Sequence, residues 1–224
     1  MWKFQEDVLK NDYNLIMPSL AGYGQSSHLT APSTIKENAK QVFDLLDFLK
    51  IEKFNLLGHS MGGMIVQEMA AMNLHRINKL ICFGTGSIGV LPNRFETIKE
   101  TRNNIKKFGL NKVRTEIAKT WFIDYLIGEG YRLCLQEGEK TSTQAALASL
   151  DAWESWDGKE QLKNIKCPTL IIWSNKDLSY DWYQQEILKK GITNSRIEII
   201  ANCAHNAHME NPKVFNKIVK NFLS

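Results

Sequence analysis

Gly58-His59-Ser60-Met61-Gly62 closes a short apolar run, and the reading of these five residues decides the fold. Phe54-Asn55-Leu56-Leu57 ahead of them has the composition of a short buried strand. From Met61 to Met72 the apolar residues fall at helical spacing, with Met61, Ile65, Met69 and Met72 on one face. A serine between the two stands on a sharp strand-to-helix turn. Glycine is expected two residues before and two after it, because a Cβ there would strike the neighbouring strand or helix. Helix entry immediately after Ser60 aims free backbone N–H groups at whatever that serine attacks. Composition alone produces this pattern roughly 0.05 times in a chain of this length, so Ser60 reads as a nucleophile.

Outward from that turn, strand and helix patterns alternate. Trp2 to Lys10 reads as a short helix, and Tyr13 to Met17 as a strand closed by Pro18, followed by the Gly22-Tyr23-Gly24 loop. Thr34 begins a helix with Glu37 at capping-box spacing, and Ile35, Ala39, Val42, Leu46 and Leu49 recur at helical intervals. Lys79 to Phe83, Cys167 to Trp173 and Arg196 to Ile200 are further strands. Asn211-Pro212 caps a last helix that packs inward through Phe215, Ile218, Val219 and Phe222. The expected fold class is therefore α/β: a mostly parallel sheet covered by helices on both faces. From 88 to 165 the pattern is all-helical, with helix-like stretches at Arg94–Phe108, Val113–Ile127 and Thr141–Ala152 and a concentration of aromatics (Trp121, Phe122, Tyr125, Trp153, Trp156). This predicts a core of residues 1–87 and 166–224 with an inserted helical cap at 88–165, whose aromatics serve more as cap core than as substrate wall.

A serine hydroxyl needs a base to take its proton, and that base needs a partner to fix its tautomer and stabilise its charged form. Asp177 lies four residues after Trp173, and His205 five residues after Ile200, each in the loop that leaves a strand. In a parallel sheet those strand ends share one edge, where the three side chains can converge. Asp181 competes with Asp177 and His208 with His205; Asp177 is favoured by its distance from the strand. Gly84-Thr85-Gly86-Ser87 offers no carboxylate after the preceding strand. His59 is expected to pack under the loop, and Cys203 to be an inert thiol.

Four segments carry a family resemblance: P-S-L-A-G-Y-G-Q-S (18–26), L-L-G-H-S-M-G-G (56–63), C-P-T-L-I-I-W-S-N-K-D (167–177) and A-H-N-A-H-M-E-N-P (204–212). In these the chain resembles the α/β-hydrolases of the serine-nucleophile type with a helical cap, and the order Ser60, Asp177, His205 is theirs. The resemblance implies Ser60 as nucleophile and His205, rather than His208, as base and then acid. It implies Asp177 as the group that orients His205 and the Met61 backbone N–H as an oxyanion donor. Ser19 stands where the family usually has Asp. Trp2 matches a position in the first helix after the family's third strand, so two edge strands, that third strand and a His-Gly type loop that donates a second oxyanion N–H are not matched. The expectation is that the strands at 13–17 and 54–57 lose a shared partner. Either they shift together, or a segment of roughly 25–35 residues precedes Met1.

Composition narrows the partners. Lys and Arg number 28 against 24 Asp and Glu, 22 of the basic residues are lysines spread along the chain, and the net charge is +4. This describes a solvated surface rather than a nucleic-acid footprint. No run approaches the ~18 apolar residues of a membrane span, and no secretory pattern opens the chain. Cys82, Cys134, Cys167 and Cys203 form no C-x-x-C pair and read as reduced thiols of a cytoplasmic protein. The expected activity is hydrolysis of a small ester, lactone or related acyl compound through an acyl-enzyme, with a small-molecule substrate and no metal or organic cofactor. Carbon–carbon bond hydrolysis or acyl transfer on the same triad, or ligand binding without turnover, are the alternatives.

Overall fold

The computed structural model describes residues 1–126 and 128–224. Four strands, β1 (Phe54–His59), β2 (Ile77–Phe83), β3 (Thr169–Ser174) and β4 (Ser195–Ile200), form one sheet in that order, and every neighbouring pair is parallel. The described helices are α1 (Lys3–Leu9), α2 (Ile35–Phe48), α3 (Met61–Met72), α4 (Ile98–Phe108), α5 (Leu110–Lys119), α6 (Glu129–Gly138), α7 (Thr143–Glu154), α8 (Trp182–Gly191), α9 (Ala207–Glu210) and α10 (Pro212–Leu223).

The two faces of the sheet follow the period of two along its strands. Leu80, Cys82 and Ile171 point into a cluster with Val66 and Ala70 of α3 and Leu188 of α8. Ile81, Phe83, Leu170 and Ile172 point the other way, onto Leu9 of α1 and Phe215 and Val219 of α10. Helices therefore cover both faces, as the strand–helix alternation requires. Helix α3 is wrapped almost completely, because α2 packs on its outer side through Ile35, Ala39 and Phe43. The expected one-sided stripe is correct for Ile65 and Met69 but not for Met72, which is 42% exposed at the helix end.

Tyr13–Met17 is not a strand. β1 pairs only with β2, and no described backbone hydrogen bond joins residues 14–19 to it. An extended segment without a ladder partner keeps its polar groups in water, and Ile16 and Met17 are 40% and 45% exposed. Tyr13 and Leu15 nonetheless pack with Leu57 against the α1–α10 face. The two segments have not shifted together, and β1 is an edge strand.

Among the described residues between β2 and β3 there are four α-helices rather than three. Helix α4 starts at Ile98, four residues later than expected, because Thr97 and Glu100 form a full capping box there. The expected Val113–Ile127 helix begins at Leu110 and stops at Lys119, and Ile127 lies outside the described residues. Helix α6 was not foreseen; only Gly130, Tyr131 and Cys134 of it are buried, which leaves a weak apolar stripe. Phe122, Tyr131 and Cys134 form one cluster between α5 and α6, and Ile98, Ile105, Val113 and Leu150 another among α4, α5 and α7.

Candidate active site

Ser60 sits at the end of β1 with φ +55° and ψ −120°, a backbone conformation that non-glycine residues rarely hold. Its N–H donates to Phe83 O of the adjacent strand at 3.0 Å, and its carbonyl accepts from Gly63 N at 2.9 Å and from Thr85 Oγ1 at 2.9 Å. These bonds hold the strained residue in place. Helix α3 starts at the next residue, so the Met61 N–H has no acceptor within the helix and is free to meet an incoming oxygen.

Of the two glycines expected to be forced by space, only Gly58 is. A Cβ on Gly58 would lie 2.1 Å from Gly62 O, and one on Gly63 2.5 Å from the Thr85 side chain. A Cβ on Gly62 would meet nothing within 4 Å. The tightness of the turn thus rests on Gly58 and Gly63, while Gly62 contributes the carbonyl that crowds Gly58.

Asp177 and His205 arrive from neighbouring parallel strands, in register as Ser174 opposite Ile200. Their exit loops are tied together: Asn175 N donates to Ile200 O, Lys176 N to Cys203 O, and Asn202 N to Asn175 Oδ1. Asp177 Oδ1 accepts from Ser179 N at 2.7 Å and Tyr180 N at 3.2 Å, which leaves Oδ2 to face His205 Nδ1 at 2.8 Å. A proton on Nδ1 leaves Nε2 as the lone-pair nitrogen. The ring lies over Gly84, whose φ of +51° and missing side chain open that space, and stacks on Tyr180 at 5.7 Å. No described hydrogen bond joins Ser60 Oγ to His205 Nε2; such bonds are often loose before substrate arrives.

The competing residues have other partners. Asp181 caps α8, accepting from Gln184 N, and also receives Asn93 Nδ2. His208 is fully buried against Trp2, Phe83 and Phe215, and neither ring nitrogen has a described partner. Burial, reinforced by His205, pushes its pKa down to about 3, so it is neutral. His59 stacks on Phe83 at 4.5 Å, and its Nε2 is 3.0 Å from His205 O. Burial holds it well below the usual histidine range, so it packs under the loop as expected. Burial also raises the Cys203 thiol to about 11, which leaves it protonated.

A narrow cleft above Ser60 is lined by Leu91, Arg94, Trp121, Trp153 and Tyr180 among others, and has room for about one water-sized sphere. Trp121 and Trp153 therefore face the site, whereas Phe122 and Tyr125 pack with Tyr131, and Trp156 donates to Glu68 Oε2 at 3.2 Å. The segment after α5 is fastened to the histidine loop: Asn206 N donates to Trp121 O, and Glu210 accepts from both Ile123 N and Ala204 N. Sequence reasoning missed Arg94 and Tyr180. Tyr180 is three residues beyond Asp177, and burial raises its phenol well above the ordinary value beside Ser60. Arg94 stood inside an expected helix, and nothing in its spacing marked it. Among the described residues no cluster of His, Cys, Asp and Glu is arranged to hold a metal, and no helix is long and apolar enough to cross a membrane.

The family model for the alpha/beta hydrolase fold matches residues 1–112, half of the chain. The chain belongs to the alpha/beta hydrolase fold family. It is 26% identical to 2-hydroxy-6-oxononadienedioate/2-hydroxy-6-oxononatrienedioate hydrolase 2 of Pseudomonas putida, over 97% of this chain and 79% of that protein. It is also 26% identical to 3-oxoadipate enol-lactonase 2 of Acinetobacter baylyi, over 98% of this chain and 82% of the relative. The crystal structure of the enol-lactonase from Burkholderia xenovorans LB400 superposes with a TM-score of 0.90, covering 99% of this chain and 85% of that one at 23% identity, a likeness of fold.

Proposed function

We propose that this protein is a serine hydrolase that cleaves a small ester, lactone or related acyl compound through an acyl-enzyme, with Ser60, His205 and Asp177 as its triad. The observation that supports this reading is a strained Ser60 at the same edge of the sheet as the buried, hydrogen-bonded His205–Asp177 pair. Ser60 Oγ attacks the carbonyl carbon while His205 Nε2 takes its proton. Asp177, bonded to Nδ1, steadies the imidazolium that forms. The Met61 N–H stabilises the oxyanion of the tetrahedral intermediate. His205 returns the proton to the leaving alkoxide, and water then repeats the sequence to release the acid and free Ser60. The activities named for the two relatives, lactone opening and hydrolysis of an oxo-dienedioate, support acyl chemistry on this site. Residues 88–165 act as a cap over it, and its cleft opens by movement of cap side chains to admit substrate.

A fluorophosphonate probe with the Ser60→Ala variant tests the reading. The parent protein is labelled and hydrolyses short aryl esters; the variant loses labelling and falls by several orders of magnitude in turnover, since a triad acts as a unit. A variant that keeps a tenth of the parent turnover places the chemistry elsewhere.

A further inference from the structure

Among the described residues that line the cleft over Ser60, Arg94 alone is charged. Its partners do not neutralise it. Nη1 donates to the backbone carbonyl of Glu96 and to Thr101 Oγ1, and the guanidinium carbon lies 4.4 Å from the Phe95 ring centroid and 5.5 Å from that of Trp153. The Glu96 carboxylate, which accepts from Thr101 and Asn104, meets Arg94 only through the Thr101 hydroxyl that the two side chains share. No described carboxylate comes within ion-pair distance of Arg94, whereas the part-buried Arg76 holds Asp47 and the part-buried Arg102 holds Asp151 and Glu154.

Withdrawing a guanidinium from water without a counter-charge is costly. Burial accordingly lowers the Arg94 pKa from its ordinary value, with Tyr180 and Glu96 opposing the shift. Apart from Gly89 and Ser179, the rest of the cleft wall is apolar or aromatic through Leu91, Trp121, Trp153 and Tyr180, so the space has a nucleophile at one place, a lone cation at another and mostly hydrocarbon between. Arginine's planar fork matches a carboxylate through two parallel hydrogen bonds.

Resting on the reading of Ser60 as nucleophile, we infer that Arg94 receives a carboxylate of the substrate, so that the compound cleaved is a short ester or lactone carrying a second, free carboxylate a few atoms from the scissile carbonyl. The anion completes the ion pair that the protein leaves open and holds the carbonyl over Ser60.

The test compares matched ester pairs that differ only in that carboxylate: mono-aryl glutarate against aryl pentanoate, and 4-acetoxybutanoate against butyl acetate. A charged hydrogen-bonded pair in a closed site supports a preference of about 10–100-fold in kcat/KM for the anionic member of at least one pair. In Arg94→Met that ratio collapses towards one, and Arg94→Lys restores part of it. No preference in either pair for the parent protein, or a preference that survives Arg94→Met, overturns the inference. Binding of glutarate against glutaramide by the Ser60→Ala protein, followed by calorimetry, reads Arg94 without turnover. Weaker glutarate binding after adding Arg94→Met supports the inference even if Ser60 proves not to be the nucleophile. Equal binding of the two compounds refutes it while leaving the triad intact.

Discussion

His205 Nδ1 and Asp177 Oδ2 stand 2.8 Å apart with side chains only 2% and 1% exposed, so this pair is closed to water at the same sheet edge as Ser60. Burial of this kind costs free energy unless every remaining lone pair is used. The Asp177 carboxylate meets that condition: its other oxygen takes the N–H groups of Ser179 and Tyr180. The stability spent on the pair is explained by its effect on the His205 tautomer.

Asp177→Asn is therefore expected to lower kcat/KM for an activated ester by about 10³–10⁴, because an amide at that place favours the wrong tautomer. Asp181→Asn keeps an oxygen for the Gln184 N–H at the α8 cap and is expected to stay within about threefold, since Asn and Asp cap nearly equally well. Steady-state kinetics on the two variants check this. A larger loss at Asp181 means that the acid has been misassigned.

The stability of the protein should fall as pH falls from 7 to 5. His59 and His208 are both held neutral by burial, and His208 faces only His59, His205, Trp2, Phe83, Phe215 and the Met1 amine. The unfolded chain takes up these protons near pH 6.5, while folded His208 refuses its own until about pH 3. A depressed folded pKa of a base therefore contributes stability that is present above 6.5 and lost on acidification. His208 accounts for about 2 kcal/mol between pH 7 and pH 5, or roughly 4–8 °C in Tm for a chain of this size, and His59 adds in the same direction. Thermal melts of the parent and of His208→Leu measure it. The variant is expected to show a shallower slope, and a flat profile in the parent rules the argument out.

How much of this was legible before folding follows from which interactions are local. Phe54–Leu57, Lys79–Phe83, Cys167–Trp173 and Arg196–Ile200 are apolar runs with turn residues after them, and all four became strands within two residues. Ser60, Asp177 and His205 could be named as a candidate site because each stands a few residues past an expected strand. Tyr13–Met17 has the same local composition but lacks a ladder partner, which its own residues cannot report. Helix α6 carries Glu, Gly, Arg and Gln through its length and is held by its contacts with α5 and α9 rather than by a stripe. Arg94 was hidden because its place in the wall of the cleft over Ser60 depends on how the chain turns between β2 and α4, which its own spacing does not report.

The glycines of the serine turn should respond unequally to a methyl group. Gly58→Ala forces a Cβ against the Gly62 carbonyl and against Val66 Cγ2 at 2.6 Å, both in a packed helix start. Overpacking of this sort costs about 1–3 kcal/mol. Gly62→Ala meets open space within a helix, where alanine is favoured over glycine by up to about 1 kcal/mol. Tm is expected to fall in the first variant and to hold or rise in the second. Equal losses would mean that the turn is tight on both sides.

The aromatics after α5 should separate into a pocket residue and a packing residue, one position apart. Trp121 lines the cleft, and its ring is 5.8 Å from that of His205; Phe122 is 6% exposed and set edge-on to Tyr131 at 5.6 Å. The cleft is so narrow that an acyl chain must displace side chains to enter. Replacing an indole by a methyl group at 121 removes one of the groups in its way. Trp121→Ala is therefore expected to shift kcat/KM towards longer acyl esters by at least about tenfold relative to acetate, while labelling by a small phosphonate changes little. A methylene or two in an apolar pocket commands this range of discrimination. Phe122→Ala empties a packed site instead and should cost about 3–5 kcal/mol of stability with no change in chain-length preference. An ester panel from acetate to octanoate, run beside thermal melts, distinguishes the two. If Trp121→Ala lowers all esters by one factor and destabilises as Phe122→Ala does, Trp121 is core, and the wall of the cleft lies with Leu91 and Trp153.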